Sequence, residues 1–396
     1  MGKLFAQIAA VIYMNIKSLP QRFWASLTTL LAVGIVVTVL LAFLAMGEGF
    51  RQTLQSSGSD SVAVILKAGS QTELNSGLGG DDVKNISNAP GIAHDGNGPI
   101  TSGELYVIVD GIKKSSQTEV NLPLRGISLA GFKMREKISI TAGRMFEPGK
   151  NEIVVGNSVL QEFSGFELGS QIGLGGTMWT VVGVFDAGGS VFGSELWADT
   201  RTIQAQFNRG NSYQSVRVQL ETPGDVKPIQ DFIEQDPRLV MDIVTEKDYF
   251  AEQSRGMSDL IFYLGWPLAI LMAFGALAGA LNTMYTSVES KAVEIATLRA
   301  IGFKGTAAFI GTLVESVVLA FIGGIVGVLA AFLLFDGIST STMSGSFTQV
   351  VFDFNVSGDA FKNGIILAVI IGFVGGIFPA WRASRMPLLV AFTAGK

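Results

Sequence analysis

From Phe23 to Met46 the chain reads FWASLTTLLAVGIVVTVLLAFLAM, without one Asp, Glu, Lys or Arg. A helix rises about 1.5 Å per residue, so this stretch reaches across a hydrocarbon core of about 30 Å. In lipid every backbone N–H and C=O must be bonded internally, which makes a transmembrane helix the natural reading of 23–46. Comparable apolar runs lie at 259–286, 307–335 and 363–383. The run 259–286 carries Pro267, which is expected to kink that helix or to start it near the outer face. Mean hydropathy is +0.43 and only 15% of the residues are charged, too apolar for an ordinary soluble protein and in keeping with several spans.

The segment 47–258 has another character. Charged and turn-forming residues return, with short alternating runs at Val62–Leu66, Leu105–Val109, Ile153–Val155, Thr180–Phe185 and Ser215–Leu220. A period of two is a strand signal. Helical candidates lie between them at Asp81–Ser87, Val159–Phe163, Asp199–Phe207 and Val226–Gln235, the first opened by two carboxylates, which favour a helix N-terminus. The expectation is an α+β domain outside the membrane, of single-domain size, with mobile loops in the Gly-, Asn- and Ser-rich stretch Gly69–Gly103.

Residues 1–22 mix Lys3, Lys17 and Arg22 with apolar residues and read as an amphipathic helix at the membrane surface. A short polar loop is expected at 336–362 and a tail at 384–396. Lysine and arginine near the span ends set the orientation. Lys3, Lys17, Arg22, Lys291, Arg299, Lys304, Arg382, Arg385 and Lys396 fall on one side, against Arg51, Arg255 and Lys362 on the other. Both termini and the 287–306 connector are therefore expected in the cytoplasm and 47–258 outside, in agreement with an even number of spans.

Cysteine is absent, so there is neither a disulfide framework nor a thiolate metal site. The single histidine, His94, excludes multi-histidine metal ligation and reads as a solvated loop residue. No catalytic or metal site is expected, and no nucleic-acid partner. No G-x-x-x-x-G-K-[ST] occurs; Gly77-Leu78-Gly79-Gly80 and Gly173-Leu174-Gly175-Gly176 lack the lysine that reaches phosphates and read as turns. Trp179, Trp197 and Phe192 read as core. Each of the last three spans holds a G-x-x-x-G, Gly275/Gly279, Gly323/Gly327 and Gly372/Gly376, a spacing that lets helix backbones approach within the subunit or at a dimer seam. Glu315 is a carboxylate deep in an apolar run. Such groups usually face the bundle interior. It is either a polar contact linking the connector to the helices or a neutral, snorkelling side chain with a structural hydrogen bond.

The connector is SVESKAVEIATLRAIGFKG, Ser287 to Gly305. Val288, Ala292, Ile295 and Leu298 recur at helical spacing, with Arg299 on or beside the stripe and Gly302 placed to stop the helix in a left-handed conformation. On pattern alone this is as readily a solvated elbow as a docking element. Glu289 followed by Glu294, Ile295, Leu298, Arg299, Ala300, Ile301 and Gly302 resembles the signature of the MacB/FtsX-like ABC permeases. The likeness continues through Glu315-Ser316 and Gly323-Gly324-x-x-Gly327 to Pro379-Ala380-x-Arg382-Ala383-Ser384-Arg385-x-Pro387, and more weakly through the external segments Gly126–Gly156 and Gly169–Gly183.

That resemblance implies a four-span membrane fold with a MacB-type α+β periplasmic domain in the bacterial inner membrane. It also implies a permease dimer, of identical subunits or of homologues, driven by a separate ABC ATPase subunit. ATP and Mg would be bound by that partner and no cofactor by this chain. Glu289, Glu294, Leu298, Arg299, Ile301 and Gly302 would form the ATPase-coupling element, and motion passed to the external domain would export a substrate. A periplasmic adaptor and an outer-membrane duct are further partners of such systems, beside membrane lipids. The alternatives are an FtsX-like signalling permease regulating a cell-wall hydrolase, or a lipoprotein-releasing permease.

Overall fold

The computed structural model describes residues 2–96, 98–344 and 347–386. They form two compact units: one of residues up to Glu48, Leu260–Gly337 and Phe354 onward, the other of Gly49–Asp259 with Ile338–Asp353.

The first unit is helical. Its helices are α1 (Gly2–Ser18), the greater parts of α2 (Phe23–Ser57) and α3 (Glu246–Ser290), whose remaining turns belong to the second unit, and α4 (Ala292–Ala300), α5 (Gly305–Phe335) and α6 (Gly358–Arg385). Four of them, α2, α3, α5 and α6, are long and apolar enough to cross a membrane. A short 3-10 turn, Leu19–Arg22, joins α1 to α2. Pro20 fits there because a first turn needs no N–H donor. Pro267, by contrast, lies inside α3, which begins far upstream at Glu246. The proline therefore does not start the helix. α1 is not only a surface helix. Val11 and Asn15 are buried, and a methyl group on Gly311 of α5 would come within 2.4 Å of Val11, while Phe5 and Tyr13 stay exposed.

The second unit is built on an eleven-stranded mixed sheet. Its main strands are β1 (Val62–Lys67), β2 (Thr101–Lys113), β3 (Glu119–Ile127), β4 (Glu152–Gly156), β5 (Gln171–Leu174), β6 (Thr177–Asp186), β7 (Leu196–Asp199), β8 (Ser215–Gln219) and β9 (Met241–Thr245). They run in the order β5-β6-β4-β7-β3-β2-β8-β1-β9. The β6–β4 and β7–β3 pairs are parallel and the others in that path antiparallel. Helices occur at Gly80–Ile86, Asn157–Glu162, Thr200–Gln206 and Lys227–Gln235, close to the expected positions. One apolar cluster gathers Val107, Leu124, Val155 and Trp179; the other gathers Ile65, Ile86, Val218 and Ile229. Trp197 and Phe192 are buried as expected, Trp197 stacking on Phe185 at 4.3 Å. Gly175 and Gly176 both have positive φ, +61° and +80°, in the tight β5–β6 turn.

Two expectations need correction. The 336–362 segment is not merely a polar loop. It folds back as a hairpin, β10 (Ser339–Met343) with β11 (Gln349–Asp353), and Val351 joins the first apolar cluster while its N–H donates to Ser194 Oγ at 2.9 Å. The continuous run Val350-Val351-Phe352, buried throughout, supplies the apolar surface that the preceding Ser/Thr/Gly run disguises. The stretch Gly69–Gly103 likewise carries regular elements, including the pairing of His94–Asp95 with Gly98–Pro99. His94 sits on that pair, its Nδ1 2.8 Å from the Ile92 carbonyl.

At the heart of this unit lie three arginines and four glutamates, all buried. Arg125 donates to Glu195 at 2.7 Å and to Glu73 at 2.8 and 2.9 Å; Arg217 reaches Glu73 and Glu104 at 2.7 Å and Glu246, the first residue of α3, at 3.0 Å; Arg135 grips Glu104 twice at 2.9 Å. Burial by itself raises a carboxyl pKa, but here the arginines outweigh it. Arg125 and Arg217 hold Glu73 well below the usual carboxylate range, and Arg135, Arg217 and Arg125 lower Glu104.

Candidate functional site

The expected elbow is α4 and its two ends. Lys291 breaks the helical run with φ −92° and ψ 5°, separating α3 from α4. Although the dihedrals are wrong for a helix, the backbone bonds continue across it: Lys291 N–H donates to Ser287 O and Ile295 N–H to Lys291 O. At the far end Gly302 takes φ +103°, as the sequence predicts. The N–H groups of Phe303 and Gly302 close back on the carbonyls of Leu298 and Arg299 at 3.0 and 3.1 Å, a Schellman stop. The Gln7 amide of α1 brackets this turn, donating to Gly302 O at 3.2 Å and accepting from Lys304 N–H at 3.3 Å.

The inward face of the elbow is apolar. Val288 and Ile295 pack with Ala308 of α5 and Ala383 of α6. Arg299 turns toward the C-terminal end of α6, where its Nη1 donates to the Met386 carbonyl. A cation there meets the negative end of the helix dipole. Glu289 pairs with Arg382 of α6 at 3.0 Å, both more than half exposed, an arrangement of small energetic worth. Glu294 and Gly302 are exposed, Leu298 is half-buried, and Ile301 is 70% exposed. The six residues thus share one short element. They divide into an inner set (Arg299 and, in part, Leu298), a lateral one (Glu289) and an outward-facing one (Glu294, Ile301, Gly302).

Glu315 lies on α5 beneath the elbow, and its side chain is 3% exposed. Its Oε2 accepts from Lys291 Nζ at 2.8 Å and its Oε1 from Ser287 Oγ at 3.1 Å. Lys291 also reaches Asn15 Oδ1 of α1 at 3.2 Å, and Arg22 Nη1 donates to the carbonyl and hydroxyl oxygens of Ser287 at 2.7 Å each. A polar chain therefore ties α1, the start of α2, the end of α3, the elbow and α5 together.

The glycine pairs differ in use. A methyl on Gly327 would fall 2.4 Å from the Gly34 carbonyl of α2, and one on Gly323 2.8 Å from the Leu30 carbonyl. Methyls on Gly372 and Gly376 would meet Ala320 and Ser316 of α5 at 2.5 and 2.7 Å. Gly275 and Gly279 have nothing within 4 Å, so two pairs are seams inside the subunit and the third lies open.

Residues 26–236 match the MacB-like periplasmic core domain, and residues 267–388 the FtsX-like permease C-terminal domain. The chain belongs to the MacB/FtsX-like permease family.

Among curated relatives, the macrolide export ATP-binding/permease protein MacB 1/2 of Paracoccus denitrificans is 24% identical over 99% of this chain and 60% of its own length. The uncharacterized ABC transporter permease YvrN of Bacillus subtilis is 26% identical over 95% of this chain and 97% of its own. The chain spans about 60% or less of the first ATP-binding/permease relatives it matches. Within the permease-type region fall the elbow, Glu315 and all three glycine pairs. The closing motif runs to Pro387, which lies outside the described residues, as do 387–396 of the expected tail.

Reading the sequence did not single out Lys291, Ser287, Asn15, Gln7 or Arg22 as partners. The usable signal was charge balance: a carboxylate inside an apolar run demands a cation, and Lys291 at the end of the preceding span supplies it.

Proposed function

We propose that this permease is driven by an ATPase carried on another polypeptide, and that the outward face of α4 is where the two meet. What supports the reading is the way the elbow is held. Lys291–Glu315 pins its start to α5, Gln7 its end to α1, Arg299 its flank to α6, and Ile301 and Glu294 are left facing out. An element fixed to three helices passes a push to all of them. Val293 and Ile301, both exposed on this element, offer a partner apolar contact. ATP and Mg, on this reading, are bound and used by that partner.

On this reading the elbow and both flanking ends face the cytoplasm of a bacterial inner membrane, and the α+β unit is periplasmic. Two permease subunits pair, and nucleotide-driven closure of the ATPases is passed through the helices to the periplasmic domains, which move a substrate outward. A periplasmic adaptor and an outer-membrane duct would complete the route. The macrolide-export name of the Paracoccus relative supports export over signalling, without fixing what is exported here.

Copurification from the native host in detergent tests this. Wild-type chain should bring down an ABC ATPase, and Ile301→Asp or Glu294→Lys should lose it while the permease keeps its elution profile and melting temperature. If both variants retain a full complement of ATPase, the elbow is not the docking site. Arg299→Glu is a poorer probe, since it also removes a contact on α6.

A further inference from the structure

A crevice of about 300 Å³ opens beside the polar chain, lined by Arg22, Phe23, Trp24, Met284, Ser290 and Glu315, among others. Its walls are mostly apolar, yet one rim is charged. Glu315 is neutralised by Lys291 at 2.8 Å, so that pair contributes no net charge. Arg22 is different. Its Nη1 donates to two oxygens of Ser287, and among the described residues it has no carboxylate partner. A half-buried guanidinium therefore keeps its full charge and two further donor nitrogens, Nε and Nη2, at the mouth of an apolar slot.

The position of the slot narrows its occupant. Arg22 closes the 3-10 turn that precedes the apolar span of α2. Phe23 and Trp24, which follow it, are 57% and 77% exposed, as rings at the headgroup level of a bilayer are. An arginine at that level, above an apolar crevice open to lipid, matches a ligand with an anionic head and a hydrocarbon tail. We propose that this crevice binds one anionic phospholipid, its phosphate on Arg22 and an acyl chain along Phe23, Trp24 and Met284. The lipid supplies the counter-charge that the protein does not, and it settles beside Ser287, which Arg22 and Glu315 share. This inference rests on membrane insertion and not on ATPase docking, so either can fail while the other stands.

Native mass spectrometry of the delipidated full chain in detergent tests it, with phosphatidylglycerol, phosphatidylcholine and inorganic phosphate as probes. One phosphatidylglycerol should be retained per chain, with a preference over phosphatidylcholine of about fivefold, the worth of one arginine near a lipid surface. Arg22→Gln should abolish the preference and Arg22→Lys keep part of it. Because Arg22 also bonds Ser287, Ser290→Asp is the second variant: it leaves Arg22 in place, adds a negative charge to the crevice, and should likewise remove the preference. Equal retention of the two lipids by the wild type would overturn the proposal, as would a preference untouched by Arg22→Gln and Ser290→Asp. Displacement of phosphatidylglycerol by millimolar inorganic phosphate would show a free-phosphate site and sink the lipid assignment.

Discussion

Lys291 and Glu315 are each only 3% exposed and bonded at 2.8 Å, with Ser287 and Asn15 taking up further polar valences. Breaking such a pair from one side leaves an uncompensated buried charge, whereas replacing both partners by apolar groups of similar size is far milder. Lys291→Met or Glu315→Leu alone should therefore cost about 3 kcal/mol, and the double variant much less. Denaturation in micelles, read as a double-mutant cycle, measures this; additive losses would mean the two side chains act independently. The arginine–glutamate cluster makes a separate prediction about pH. The buried arginines hold the Glu73 and Glu104 carboxyls below their ordinary value of 4.5. Their contribution is fully present above that value and is lost as the pH falls through the lower, folded ones. The melting temperature of the α+β unit should hold steady from neutrality to about pH 5 and drop below it, and Glu73→Gln should flatten that drop.

Among the elements, helix seams and open faces separate the glycine pairs. Gly327 sits against the Gly34 carbonyl, a backbone atom with nowhere to go, whereas Gly275 faces open space. Gly327→Leu should destabilise by about 2–3 kcal/mol through overpacking, and Gly275→Leu should leave the monomer's melting temperature unchanged. Equal effects would put Gly275 in a contact the single chain does not show. The four long helices and the elbow were legible because apolar run length, flanking charge and a left-handed glycine are all local signals. Strand β3 was not. Its sequence EVNLPLRGI carries Pro123, a residue that argues against a central strand, and the charged Arg125. Arg125 is instead the centre of a network whose other members lie 52 residues before it, at Glu73, and 70 after it, at Glu195. A short window cannot see a charge satisfied at that distance. For the same reason the elbow's sequence showed its helix and its stop but not Asn15, Gln7 or Arg22, which arrive from the opposite end of the chain.

For the whole molecule, the proposed function requires an element that carries motion along it. α3 is one helix of 45 residues, about 65 Å of continuous backbone. Its first residue, Glu246, is held by Arg217 in the buried cluster, and its last, Ser290, is followed directly by Lys291 of the elbow. If the helix transmits a push as a strut, its continuity matters more than any one contact along it. Gly256 offers a clean place to interrupt it, because its Cβ direction is empty and a substitution there disturbs no neighbour. Gly256→Pro removes one backbone hydrogen bond and sets the proline ring against the preceding turn. The variant should still copurify with the ATPase and hydrolyse ATP. Hydrogen exchange through 241–250, expected to change on ATP addition in the wild-type complex, should become indifferent to nucleotide. If exchange still responds fully in Gly256→Pro, α3 is not the strut, and α2, which also runs unbroken from the membrane-spanning segment to Ser57, becomes the element to cut.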